Sequence, residues 1–251
     1  MDYSAKMTKT RRRQGSREAL ETKARPTQAR SRQTFEAILN AAGNVLAQES
    51  LRAFSINAVC ENAGLTPPAV YRYFPNKYAL LKAVAERLME AEDEVALGDM
   101  ANRAIPCSEA GMIEEVRERI GRVIAVTTAF PGSIAILRAL RSSVVMRQVR
   151  HASTAKVTAR WFERLREIFP ATDPVRLRRS AWLGLEVSTQ LMELIVEGES
   201  RAAGDADDIM LDEVAAMLGR YYWQLGAPEP PALRDASSNA RSLPRPRRSL
   251  L

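Results

Sequence analysis

From about Gln28 to Leu225 the apolar residues return every three to four positions, and only short breaks separate one run from the next. That period belongs to helices with one buried face, and the alternation a half-buried strand would show is scarce. The sequence therefore predicts an all-α chain. A first helix is expected from Gln28 to Glu49, with Phe35, Ile38, Leu39, Ala42, Val45 and Leu46 as its apolar stripe. Ser55 offers an N-cap for a short second helix that turns Ile56, Val59, Cys60 and Ala63 inward, and Gly64 ends it. Thr66 is placed to cap a third helix, and Asn76 a long fourth one that buries Leu80, Leu81, Val84, Leu88 and Met89. Longer helices follow near 108–129, 133–143, 145–169, 174–199 and 207–225. Their short connections imply that successive helices pack as neighbours.

Charge divides the chain by position. Residues 1–34 hold ten Lys/Arg against three Asp/Glu, and residues 228–251 hold five against two, so the body between them is slightly acidic although the whole carries +7. Both ends lack an apolar period and are expected to be flexible: a basic arm over 1–27 and a Pro/Arg-rich tail over 227–251. Basic arms beside a near-neutral body suit a polyanionic partner. Two distant cysteines, Cys60 and Cys107, match no metal or redox spacing, each in a pattern that reads as helical, and the single histidine, His151, argues against histidine-based metal sites and against a catalytic triad. No metal, cofactor or enzymatic activity is expected. Without a secretory h-region or a long apolar run, a cytoplasmic location is the expectation.

The stretch "ENAGLTPPAVYRYFPNK", Glu61 to Lys77, combines adjacent prolines, three aromatics and a terminal lysine. Proline is tolerated in a helix's first turn, where its missing amide hydrogen would be unpaired anyway, so Thr66-Pro67-Pro68 starts a helix. Val70 and Phe74, four apart, should be buried, leaving Ala69, Tyr71, Arg72 and Tyr73 pointing outward or sideways. A short helix, a glycine-containing turn and a second short helix form a helix-turn-helix, whose second helix enters the major groove of DNA by its amino-terminal end. Tyrosine hydroxyls and a lysine at that helix's end are suited to phosphate oxygens.

Residues 32–89 resemble the amino-terminal domain of the TetR family of bacterial transcriptional regulators (TetR/AcrR-like). The resemblance rests on "ILNAAGNVLAQES", "FSINAVCENAGL" and above all "VYRYFPNKYALLKAV". It implies that Tyr71, Tyr73, Lys77 and Ser55 hold phosphates, while Thr66, Pro67, Pro68, Ala69 and Arg72 face base edges. Pro67, Pro68 and Ala69 stand where donor-bearing residues or glycine are frequent in the family, so apolar contact of Pro68 and Ala69 with thymine methyls is expected. Arg25, Arg30 and Arg32 precede or open the first helix and could enter an adjacent minor groove or hold phosphates.

The resemblance further implies a helix-turn-helix unit over 28–75 and a helical effector-binding and dimerisation unit over 76–226. The last two long helices are the expected interface of a homodimer, through Trp182, Leu185, Ser188, Met192, Ile195, Val214, Met217 and Tyr221 in a four-helix bundle. The implied function is a dimeric repressor that binds a palindromic duplex operator and is released by a small hydrophobic effector. The alternatives are a sequence-tolerant architectural DNA binder driven by its tails, and an all-α small-molecule-binding protein or enzyme.

Overall fold

The computed structural model describes residues 22, 28–49, 51–98, 100, 102–198 and 207–227. Most of the basic arm, including Arg25, and nearly all of the expected tail lie outside the described residues. Within them the chain is helical: α1 Ala29–Gln48, α2 Ile56–Ala63, α3 Pro67–Tyr71, α4 Lys77–Leu97, α5 Glu109–Ala129, α6 Ser133–Ser142, α7 Val144–Ile168, α8 Pro174–Glu197 and α9 Asp207–Trp223, closed by a 3₁₀ turn at Gln224–Gly226.

Local chemistry sets the helix ends. The side chains of Ser55, Asn76, Ser108, Ser143 and Asp173 accept the amide hydrogens left over in the first turns of α2, α4, α5, α7 and α8. Thr66 departs from this expectation. It occupies the N-cap position of α3 with extended backbone, yet its side chain makes no capping bond. Pro67 and Pro68 carry no amide hydrogen, and the Ala69 N–H is taken by the Thr66 carbonyl at 2.9 Å, so a capping side chain has nothing to accept. Gly132, before α6, has φ +76° and lies so close to Leu46 and the Gly43 carbonyl that a Cβ there would overlap both. Cys107 lies in the coil just before α5, since Ser108 rather than an earlier residue opens that helix.

Two apolar clusters fill the interior. The first joins α1, α2, α3 and α4 to Ile136, Leu137 and Leu140 of α6 and to Met146 and Val149 of α7. The second runs through α5, α7, α8 and α9 around Met112, Trp161, Leu165, Leu177 and Tyr222. The amino-terminal unit therefore shares its core with the body, and α4 borders both clusters. No single helix among the described residues is long and apolar enough to cross a membrane.

Candidate nucleic-acid interface and effector cavity

The amino-terminal unit is built around a sharp corner. Gly64 closes α2 in the left-handed region, φ +63° and ψ +32°, a conformation that costs glycine little and other residues more. Three residues, Gly64 to Thr66, then separate α2 from α3. Val70 and Phe74 are fully buried against α1, where Phe35 stacks on Phe74 with centroids 5.2 Å apart. That anchoring leaves Thr66, Pro67, Pro68 and Arg72 exposed, Ala69 partly so, and Tyr71 exposed by 45%. The outer edge of α3 is therefore a stiff surface with a hydroxyl, three apolar faces, a phenol and a guanidinium.

Tyr73 corrects the sequence expectation. The structure buries it to 4% exposure instead of turning it outward. Its ring meets Phe35 edge-on at 5.7 Å, and its hydroxyl donates to the Ser31 carbonyl at 3.4 Å. The cause is local. The chain leaves α3 at Tyr71, and the Tyr73 amide bonds back only three residues, to Val70, at 3.0 Å. Three residues on from Val70, Tyr73 falls on the same face of the turn, so the packing that buries Val70 and Phe74 against α1 takes Tyr73 inward with them. What the burial achieves is a fastening of the end of α3 to the first turn of α1, which carries the exposed Arg30 and Arg32.

Lys77 and Ser55 meet on the other flank. Lys77 Nζ donates to the Phe54 carbonyl at 3.3 Å, one residue before Ser55. Ser55 Oγ accepts the Ala58 amide at 3.2 Å, so its own hydroxyl hydrogen stays free to donate. Tyr78 was missed in the sequence. It is exposed, with the Lys77 ammonium 5.5 Å from its ring centroid, and only its position beside Lys77 in the first turn of α4 signals it.

The sites named for self-association separate on the structure. Trp182 is 52% exposed and Met217 is also exposed, whereas Leu185, Ser188, Val214 and Tyr221 are partly buried. Met192 and Ile195 fall out of the surface set, at 2% and 6% exposure. They lie on the face of α8 that turns inward with Leu177, Ala181 and Leu191, while the opposite face presents Val175, Trp182, Leu183 and Leu194. Leu183, Leu194, and Ile209 on α9 are exposed apolar residues that a count of apolar positions alone does not separate from core.

Between α4, α5, α7, α8 and α9 lies a cavity, lined among others by Ala96, Ile120, Val123, Val157 and Trp161. It is a partly open cleft with about 70 Å³ of free space inside and about 700 Å³ counting its mouth. Its wall carries a charged network. Arg150 donates to Glu92 at 2.9 Å and to Glu193 at 3.4 Å, and Glu92 also accepts the Thr127 hydroxyl at 3.0 Å. Asp93 accepts Ser153 at 2.6 Å and Lys156 at 3.1 Å. Burial pushes the Glu92 carboxyl above its ordinary range, against the opposing pull of Arg150 and Thr127. Arg141, on α6, holds Glu193 and Glu197 at 2.5 Å each, which carries the network from α4 through α7 and α8 to α6.

The described residues thus form an all-α body joined to a helix-turn-helix. Residues 38–84 match the sequence model described as "Bacterial regulatory proteins, tetR family", so the chain carries the amino-terminal domain of TetR-family transcriptional regulators. Among curated proteins no sequence matches the chain significantly. Solved structures share the fold at low identity. A tetR-family transcriptional regulator from Streptomyces coelicolor is 16% identical, with 84% of this chain and 98% of that one covered and a TM-score of 0.56. The fatty acid degradation regulator FadR from Bacillus halodurans is 17% identical, covering 82% and 98% at a TM-score of 0.56. A single-substitution variant of TetR from Acinetobacter baumannii AYE, in complex with minocycline, is 15% identical, covering 76% and 97% at a TM-score of 0.50.

Proposed function

We propose that the protein is a homodimeric, sequence-specific transcriptional repressor that leaves its operator when a small molecule occupies the cavity. The observation that carries this reading is the exposed edge of α3, held rigid by the Gly64 corner, the two prolines and the Tyr73 fastening. Thr66 and Arg72 supply the polar contacts to bases, and Pro68 and Ala69 the apolar ones to thymine methyls. Tyr71, Lys77, Ser55, Arg30 and Arg32 fix register on the phosphates. Tyr73 acts indirectly, by holding the Arg30–Arg32 turn beside α3. Residues 28–75 make the reading unit, and residues 76–226 the effector-binding and dimerising unit.

Dimerisation goes through the outer faces of α8 and α9, where Trp182, Leu183, Leu194, Ile209 and Met217 give an apolar surface that a second copy would cover. Two-fold symmetry then requires a palindromic site with half-sites about one helical turn, roughly 34 Å, or a multiple apart. The solved relative bound to minocycline supports a ligand-responsive body.

Selection of bound DNA from random oligonucleotides tests this, with Lys77→Ala and Tyr71→Ala run alongside. The expected product is an enriched palindrome that both variants bind more weakly. Enrichment of no motif, with affinity lost on deleting residues 1–26, would instead make the protein a sequence-tolerant architectural binder.

A further inference from the structure

The charges around the cavity do not balance locally. Both carboxylates in its wall are already matched, Glu92 by Arg150 and Asp93 by Lys156. Arg119 is not. Its guanidinium lies over the Trp161 ring at 3.5 Å, and among the described residues no carboxylate stands within ion-pair distance of it. The groups that favour its charge are the Tyr222 hydroxyl and then Glu115, and Arg164 already holds Glu115 at 3.1 Å. The cavity continues past Ala96 and Arg119 into a small recess lined by Arg103 and Arg122, and Arg103 pairs with Glu118. This end therefore gathers Arg103, Arg119, Arg122 and Arg164 around Glu115 and Glu118. Loss of water pulls the Arg119 guanidinium down to about 10, so it stays charged at neutral pH while lacking the solvation a free arginine has. Away from it an apolar stripe of Ile120, Val123, Val157, Leu185 and Met192 runs along the lining, beside the hydroxyls of Ser153, Thr154, Ser188 and Thr189.

We infer that the cavity takes a monoanionic amphiphile, a carboxylate on a slim apolar body, with the anion on Arg119 and the body along Ile120, Val123, Val157 and Met192. An unmatched cation in a partly dry wall calls for one negative charge, and a guanidinium fork fits a carboxylate in two parallel hydrogen bonds. A cationic ligand would leave Arg119 uncompensated and would have to displace Arg150 or Lys156 to reach a carboxylate. A neutral apolar ligand would cover Arg119 without replacing its lost water. Effector control would require the ligand to favour one arrangement of α4 against α7 and α8 over another. The inference rests on the cavity being the effector site and adds its chemistry.

Calorimetric titration of the full chain with straight-chain carboxylates from hexanoate to dodecanoate, their alcohols and their primary amines tests it without DNA. At least one carboxylate should bind about tenfold or more tightly than its matched alcohol. Arg119→Met, which keeps an apolar chain over Trp161, should erase that preference, and Arg119→Lys should keep part of it. Near-ultraviolet circular dichroism checks that each variant is folded. Should Arg119→Met not fold, the wild-type discrimination and Arg119→Lys decide. An alcohol or amine binding as tightly as the carboxylate, a preference that survives Arg119→Met, or no binding across the carboxylate series would overturn the inference. A carboxylate that binds yet leaves the selected DNA bound would sustain the ligand class and refute effector control.

Discussion

Replacing Gly219 with alanine sets two known effects against each other. In the interior of α9, alanine favours the helix by about 1 kcal/mol over glycine. The added Cβ, however, would stand 2.6 Å from Ile113 Cα and 2.9 Å from Ile113 N, on the backbone of α5. Carbon atoms in contact sit about 3.5–4.0 Å apart, so the two helices must separate by roughly 1 Å along a tightly packed seam. Overpacking costs about 1–3 kcal/mol, and a clash with helix backbone belongs in the upper part of that range, about 2–3 kcal/mol, so after the propensity gain the net loss is about 1–2 kcal/mol. At about 2–4 °C per kcal/mol for a chain of this size, Tm should fall by roughly 2–8 °C. Gly121, on α5 of the same helix pair, is the control. Its Cβ would meet Leu211 Cδ2 at 3.6 Å, an ordinary contact. Gly121→Ala should therefore gain up to about 1 kcal/mol. Far-ultraviolet circular dichroism melts at one fixed protein concentration measure both, because the Tm of an oligomer depends on concentration. A Gly219→Ala chain that melts at or above the parent would refute the steric reasoning.

Arg164 is 2% exposed and paired with Glu115, so Arg164→Met strands a buried carboxylate and should cost about 3–5 kcal/mol in urea unfolding; a loss below about 1 kcal/mol would contradict that. Glu92 carries a raised folded-state pKa against an ordinary 4.5, so its folded form takes up a proton at higher pH than the unfolded chain does. Between the raised value and 4.5, wild-type stability measured relative to Glu92→Gln should therefore increase as pH falls, and a flat difference would exclude burial as the cause. If Arg30 and Arg32 hold phosphates, alanine at both should flatten the log–log salt dependence of DNA affinity by about 0.9 per lost contact, and an unchanged slope would remove them from the interface.

The helices were legible because capping side chains and apolar stripes are local signals. Ser55, Gly64 and Asn76 act where the sequence places them, and Val70 and Phe74 are buried as their spacing requires. Tyr73 misled because its phenol and its place between Arg72 and the basic end of the motif suggest an outward phosphate contact, although its spacing of three from Val70 puts it on the buried face. Thr66 misled for a different reason, since a cap needs a donor and the prolines remove it. On α8, Met192 and Trp182 are equally apolar in sequence, yet α8's rotation buries one and exposes the other. The Arg119 imbalance depends on which carboxylates three other helices bring to Arg150, Lys156 and Arg164, and no spacing within one segment reports that.

Because α4 is one uninterrupted rod from Lys77 to Leu97, its two ends cannot move independently. Glu92 lies about 22 Å along the axis from Lys77 at 1.5 Å per residue. A swing of about 10° at the cavity end would carry the reading end by about 4 Å, close to one base step of about 3.4 Å. On the proposed function, a lever of that length would turn a side-chain-sized disturbance into a misfit of a whole letter on the operator.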